Sequence, residues 1–345
     1  MNQRKERRHP VEKKTSFRAY RVNQNEDGFS AGVEMVQLSN LPESDVEIEV
    51  HYSSVNYKDG LASSPKGKVV SSYPRILGID LAGKVTASSS PDFQPGDEVL
   101  STGYGLGVSH DGGYAEIARV PADWLVKLPK GLTLRESMAL GTAGFTAALS
   151  VDRLLHNGLQ PNSGPVLVRG ATGGVGSIAV NILGKLGFEV VAATGKPETE
   201  ASLLNWGASS VISREAAAAE VKGALGKTRW AAVVDPVGGE GLGEIMKTVK
   251  YGGSVALSGL TGGGTYEASV FPYILRGVNL LGIDSVYCPQ AKRLELWQKL
   301  ASEWKPEQLL REGVTTYKLN QVEEALATVL NGRAIGRQIV ALKSV

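Results

Sequence analysis

The residues with the most evident chemistry in this 345-residue chain run Val166-Leu-Val-Arg-Gly-Ala-Thr-Gly-Gly-Val-Gly-Ser-Ile-Ala-Val180. An apolar run, a glycine turn and a small-residue segment follow one another, as in a strand leading into a helix. Ala171, Gly173 and Gly176 keep the spacing of a dinucleotide fingerprint, with Ala in place of its first glycine. Small residues there keep side chains away from a pyrophosphate, and a helix N-terminus offers free N–H groups and a positive dipole end. A tight turn that serves structure alone is the competing reading.

A site built for NADH places an acid about 20 positions after the glycines, on the ribose 2′-hydroxyl. Thr194, Gly195 and Lys196 stand there instead. An acid would repel a 2′-phosphate, whereas a lysine and a hydroxyl attract it, and Arg214 after the next strand adds a second cation. A solvated loop lysine is the plainer alternative. The missing acid and the present base favour NADPH. The turns Asp235-Pro-Val-Gly-Gly239 and Ser258-Gly-Leu-Thr-Gly-Gly-Gly264 also follow apolar strands, at the edge where open α/β sheets bind ligands.

Those turns need a sheet to carry them. From Val166 onward apolar strands alternate with helical stretches, including predicted helices over 198–206 and 216–225. That alternation means crossover units and a doubly wound parallel sheet. Residues from Phe17 to Pro129 read differently. Val46–Val55 alternates apolar and polar side chains, and short strands are punctuated by glycine turns, as in a small barrel or sandwich. Thr133 and Glu136 form a capping box opening one helix, and the small-residue run from Gly141 predicts a second. Strands return near Thr315–Lys318 and Gln338–Leu342. The chain thus divides into a tail over 1–16, a β-rich domain from 17–140 and 288–345, and a nested nucleotide-binding domain over 141–287. A ligand is expected in the cleft between them.

Length alone makes two domains the default. The hydrophobic and charged fractions, 42% and 21%, are ordinary for a globular enzyme. A net charge of +2 argues against general nucleic-acid affinity. Arg4, Lys5, Arg7, Arg8, Lys13 and Lys14 gather in the tail, which reads as solvated and disordered, with a basic anchoring arm as the alternative. No secretory h-region follows it, and no apolar run is long enough to span a membrane, so a cytoplasmic chain is expected. Cys288 is the only cysteine, and His9, His51, His110 and His156 lack ligand spacing. Neither a disulfide nor a thiolate zinc cluster can be assembled from them, so no metal is expected.

Seven stretches in order carry a resemblance: Val55-Asn-Tyr-Lys-Asp59, Gly78-Ile-Asp-Leu-Ala-Gly83, Gly96-Asp-Glu-Val99, Gly112-Gly-Tyr-Ala-Glu116, Gly141-Thr-Ala-Gly-Phe-Thr-Ala-Ala148, Gly173-Gly-Val-Gly176 and Gly282-Ile-Asp-Ser-Val286. From about Phe17 the chain resembles the zinc-independent medium-chain dehydrogenases/reductases. Within them it is most similar to the acryloyl-CoA reductase and quinone oxidoreductase group. The resemblance implies a Rossmann sheet nested in a GroES-like β-barrel catalytic domain, NADPH, and a homodimer joined along Rossmann-sheet edges. It sets Asn56 and Tyr57 beside the nicotinamide and Thr172, Gly173, Gly174 and Val175 at the phosphates. It puts Thr194, Gly195, Lys196 and Arg214 at the 2′-phosphate, and Leu260, Ile274, Ser285 and Asn331 along the remaining cofactor path. Lys196 departs from the family, whose members often carry Arg there.

The implied reaction is hydride addition to the β-carbon of an enoyl-CoA or enone, then protonation at the α-carbon, with donors steadying the carbonyl oxygen. Tyr57 is the candidate proton donor or orienter, against a purely packing role. Asp80 is the next candidate, against a turn-ordering role. Lys58 and Asp59 read as a surface pair. Lys66, Lys68 and Arg75 are candidates for CoA phosphates. The alternatives are an NADPH:quinone oxidoreductase and a non-catalytic NADPH-binding protein.

Overall fold

The computed structural model describes residues 15–26 and 28–343. Most of the expected basic tail lies outside the described residues, and Ser16 already belongs to the first strand. In chain order the strands are β1 (Ser16–Asn25), β2 (Gly28–Gln37), β3 (Val46–Val55), β4 (Arg75–Ile76), β5 (Asp80–Ser88), β6 (Glu98–Thr102), β7 (Ile117–Val120) and β8 (Val126–Lys127). The second half adds β9 (Val166–Val168), β10 (Val190–Thr194), β11 (Ser210–Ser213), β12 (Trp230–Asp235), β13 (Val249–Leu257), β14 (Asn279–Gly282), β15 (Val314–Lys318) and β16 (Arg337–Ala341).

Strands β9 to β14 form one parallel sheet in the order β11-β10-β9-β12-β13-β14. Counted from β9, that is the doubly wound order 3-2-1-4-5-6, which reverses between β9 and β12. Val166, Leu167 and Val168 are wholly buried, as a central strand covered on both faces requires. The β-rich part has a hairpin sheet, β2-β1-β4, and a larger sheet, β15-β16-β3-β5-β6-β8, with β7 also paired to β3. Strand β16 enters that sheet antiparallel to β3, with Gln338 opposite Val55. The chain leaves the β-rich part, winds the parallel sheet, and returns to close it.

Helix α1 (Tyr57–Ala62) follows β3 directly, and α2 (Leu134–His156) joins the parts, packing on β3 and β5 as well as on β12 and β13. Thr133 and Glu136 form their capping box reciprocally, at 2.9 Å and 3.1 Å. The two helices expected from 133 onward are one element, broken at Gly141, whose φ of 53° and ψ of −156° are not helical. A Cβ there would stand 2.6 Å from Ser54 Oγ and 2.8 Å from an Asp80 carboxylate oxygen, so only glycine fits. Helix α3 (Gly174–Lys185) leaves the glycine turn and packs on α2. Helix α4 (Glu200–Asn205) is shorter than the stretch predicted over 198–206. The helix predicted over 216–225 reduces to one turn, α5 (Arg214–Ala217). Gly223, at φ 88°, and Gly226, whose N–H is tied to the Lys247 carbonyl at 3.0 Å, take the chain out of helix. Among the described residues no helix is long and apolar enough to cross a membrane.

Candidate active site

The glycine turn fits an anion. Gly170 takes φ 54°, and a Cβ on Gly176 would lie 2.3 Å from the Gly170 carbonyl oxygen. The turn therefore closes tightly with no side chain in its mouth. The N–H groups of Gly174, Val175 and Gly176, at the start of α3, donate to no protein acceptor among the described residues. Three unpartnered donors on a helix N-terminus form a site for phosphate oxygens. Thr172 is buried beside them, and its carbonyl accepts the Gly336 N–H at 2.8 Å.

The remaining cofactor candidates mostly follow strand ends on the same edge. Thr194 ends β10, and its hydroxyl accepts the Lys196 N–H at 3.0 Å. The Arg214 guanidinium would lie 3.1 Å from a Cβ on Gly195, so these residues converge. Lys196 is not simply solvated. Its ammonium donates to the Ala334 carbonyl at 2.6 Å, and burial pushes its pKa down. That contact brings the 331–336 segment, with Asn331 capping the preceding helix, against the Lys196 loop. Ser285 follows β14, and its hydroxyl accepts from Thr146 of α2 at 2.9 Å. Leu260, after β13, packs near Gly238 in the turn after β12. Leu260 and Ile274 are 55% and 69% exposed, so neither is enclosed by the protein alone.

Arg169 and Asp235 shape the switch point. Their side chains pair at 2.7 Å in the interior, and Arg169 also donates to the Gly238 carbonyl at 3.1 Å. Asp235 in turn accepts the Val237 and Gly238 N–H groups at 2.8 Å and 2.9 Å. Sequence reasoning found the glycines of this turn and missed the ion pair. The signal was a charged residue at the C-terminal end of each of two neighbouring apolar runs, Arg169 after Val168 and Asp235 after Val234.

Across the seam lies a buried polar network below Tyr57. Asp80 has no exposed surface, and its carboxylate accepts from Asn56 Nδ2 at 2.9 Å, the Thr142 N–H at 2.9 Å, and the Ser54 and Thr142 hydroxyls. The break at Gly141 leaves Thr142 at a new helix start, and Asp80 caps it from outside. Asp59, expected at the surface beside Lys58, is wholly buried instead. Its two oxygens accept the Ile79 N–H at 2.9 Å and the Asn56 N–H at 2.9 Å. Burial first, and the Asp80 charge second, push the Asp59 carboxyl up to about 7.

Asn56 is held on both ends of its amide. Nδ2 donates to Asp80, Asp59 and Ser54, and Oδ1 accepts from Arg337 Nη2 at 3.3 Å. Tyr57, the first residue of α1, is half-buried, and its phenol makes no hydrogen bond among the described residues. Of the residues expected to act, Tyr57 alone keeps a free proton. Arg75 is already paired with Asp111 at 3.0 Å and Ser72 at 2.8 Å, whereas the ammonium groups of Lys66 and Lys68 have no partner among the described residues.

Arg337 was absent from the sequence reading. It opens β16, is 3% exposed, and donates from Nε to the Ala139 carbonyl at 2.7 Å. Burial brings its pKa down to about 10, against the supporting charges of Asp80 and Asp59. Its signal was an arginine leading into the apolar run Ile339-Val340-Ala341, a placement that requires partners if it is buried.

Two family models match this geometry: Alcohol dehydrogenase GroES-like domain over residues 42–130, and Zinc-binding dehydrogenase over 174–302. The chain is 46% identical over 326 residues to Acrylyl-CoA reductase AcuI of Ruegeria pomeroyi, covering 94% of this chain and 98% of that one. It belongs to the medium-chain dehydrogenase/reductase family. A second relative is Bacillus subtilis YhfP, which bears the name of a quinone oxidoreductase. It is 52% identical over 328 residues, covering 95% of this chain and 99% of its own. The crystal structure of YhfP with NAD bound superposes with a TM-score of 0.92. The yhdH oxidoreductase of Salmonella enterica, in complex with NADP, gives 0.91 at 43% identity, covering 94% of this chain and 100% of that one. The chain is therefore an oxidoreductase with the family's GroES-like and Rossmann parts. Among the described residues no group of three or more His, Cys, Asp or Glu side chains could hold a metal ion.

Proposed function

We propose that this chain reduces the activated C=C bond of acryloyl-CoA to propanoyl-CoA with NADPH. The observation that carries the reading is the pairing of a glycine turn with unpartnered N–H donors, Gly173 to Gly176, with a free phenol at Tyr57 across the seam. Thr172, Gly173, Gly174 and Val175 would hold the pyrophosphate, and Thr194, Gly195, Lys196 and Arg214 the 2′-phosphate. Ser285, Leu260, Ile274 and Asn331 would line the rest of the path. When bound, NADPH supplies the hydride for the β-carbon of the thioester. Tyr57 gives its Oη proton to the α-carbon, a general-acid step worth about 100-fold or more. Asp80 and Asn56 hold the loop beneath Tyr57. Their polar atoms are already committed, so they position and do not transfer protons. The similarity to AcuI supports the thioester as acceptor, and the NADP complex of the Salmonella protein supports the cofactor.

A second reading, NADPH:quinone oxidoreductase, is supported by the name that YhfP bears. A steady-state panel of NADPH and NADH against acryloyl-CoA, crotonyl-CoA and a quinone separates them. Saturated acyl-CoA as the faster product supports the proposal. Quinol alone overturns it, and tight NADPH binding without oxidation of any acceptor makes the chain a cofactor-binding protein.

The same reading includes a cytoplasmic homodimer joined along β14. Strand β14 is the edge of the parallel sheet, and exposed Val270 and Leu275 lie on the segment just before it. An open edge with apolar neighbours is what a second sheet would cover.

A further inference from the structure

Arg337 touches both halves of the site. Its Nη1 lies 2.4 Å from where a Cβ on Gly174 would stand, so the guanidinium presses on the first residue of α3, inside the phosphate turn. The preceding residue, Gly336, binds the Thr172 carbonyl through its N–H. On its other side Nη2 reaches Asn56 Oδ1, and Asn56 caps the helix that begins with Tyr57. Nε is fixed by the Ala139 carbonyl, so the planar fork cannot swing. One buried side chain from the last strand of the β-rich part thus spans the distance from the phosphate turn to Asn56, the residue before Tyr57.

We propose that Arg337 is a positioning residue for hydride transfer: it sets the glycine turn and the Asn56–Tyr57 pair in fixed relation, so that a nicotinamide held from the turn lands beside Tyr57. The proposal rests on the cofactor placement above. It assigns Arg337 no contact with substrate. A shift of about 1 Å between reacting groups can cost roughly 100-fold in rate, so a rigid spacer has leverage far beyond its own hydrogen bonds.

Three variants test it. Arg337→Met removes the fork, Arg337→Lys keeps the charge but cannot reach both sides at once, and Gly174→Ala pushes the guanidinium off its seat. The first readout is the emission of bound NADPH, which reports how firmly the nicotinamide is held. Binding of 2′-phospho-ADP-ribose, which lacks the nicotinamide, reports the turn and the 2′-phosphate residues without the nicotinamide. Arg337→Met and Arg337→Lys are expected to lose most of the emission enhancement while 2′-phospho-ADP-ribose affinity changes less than about threefold. Single-turnover reduction of acryloyl-CoA should slow at least tenfold, with a larger isotope effect from deuterated NADPH. The rate cost of Gly174→Ala should shrink in the Arg337→Met background, because the two act through one contact. Should Arg337→Met fail to fold, Arg337→Lys decides by the same readouts. A folded Arg337 variant with wild-type emission, or additive effects of Arg337 and Gly174 changes, overturns the proposal. If the wild-type enzyme leaves acryloyl-CoA untouched, the substrate reading falls, while the emission measurements still decide the role of Arg337.

Discussion

Asp59 and Asp80 share one buried network but face different partners. Asp80 accepts from four donors, whereas Asp59 accepts chiefly from backbone and lies next to another carboxylate. Its folded value of about 7 stands above the ordinary carboxyl range, so the native state binds the extra proton more tightly than the unfolded chain. The stability this contributes is fully present below about pH 4 and is lost as pH rises through about 7, with a slope of at most about 1.4 kcal/mol per pH unit. Urea midpoints measured from pH 4.5 to 8 should fall over that window in the wild type, and Asp59→Asn should flatten the curve. Tyr57→Phe is expected to lose at least about 100-fold in kcat with acryloyl-CoA while NADPH affinity holds. Full turnover by the phenylalanine variant would remove Tyr57 from the chemistry. Lys196→Ala should narrow the preference for NADPH over NADH by about tenfold, on the scale of one charge-assisted phosphate contact. An unchanged ratio of affinities would show that the lysine serves only Ala334.

At the scale of the element, the break of α2 at Gly141 creates the donor that Asp80 caps. Gly141→Ala is expected to cost about 1–3 kcal/mol, since alanine disfavours φ near +53° and its Cβ would meet Ser54 and Asp80. Thermal unfolding with and without NADPH would measure both the loss and whether the site still forms. The parallel sheet and its glycine turns were legible in the sequence, because strand periodicity and turn residues are local signals. The capping box of Thr133 and Glu136 was legible for the same reason. The break in α2 was not: the small residues from Gly141 suggested a fresh helix, and what forbids continuity is Ser54 and Asp80, far away in the chain. Asp59 was misplaced at the surface because a neighbouring lysine suggested a pair, while its true partners are the Ile79 and Asn56 N–H groups. Arg337 stayed hidden because a lone arginine in a strand has no motif around it.

At the scale of the molecule, the parallel sheet is inserted into the β-rich part, and the seam between them carries the candidate site. Buried Arg293 helps hold that seam. Its guanidinium lies between the Tyr104 and Phe145 rings, at 4.5 Å and 4.7 Å, and donates to the carbonyls of Thr102, Ser285 and Val286. The exposed edge β14 belongs to the same scale. Sedimentation velocity should show a dimer, and Val270→Glu together with Leu275→Glu should shift it toward monomer; a wild-type monomer at micromolar concentration would dismiss the edge as an interface. The antiparallel pairing of β16 with β3 carries a consequence for biosynthesis. Gln338 meets Val55 only after every strand of the parallel sheet between them has been made. A nascent polypeptide halted before that strand already owns its glycine turn, its tyrosine and its buried acids, yet lacks the piece that joins them. Reductase activity should therefore arise only once that strand has been made, and a copy halted before it would hold no working catalyst.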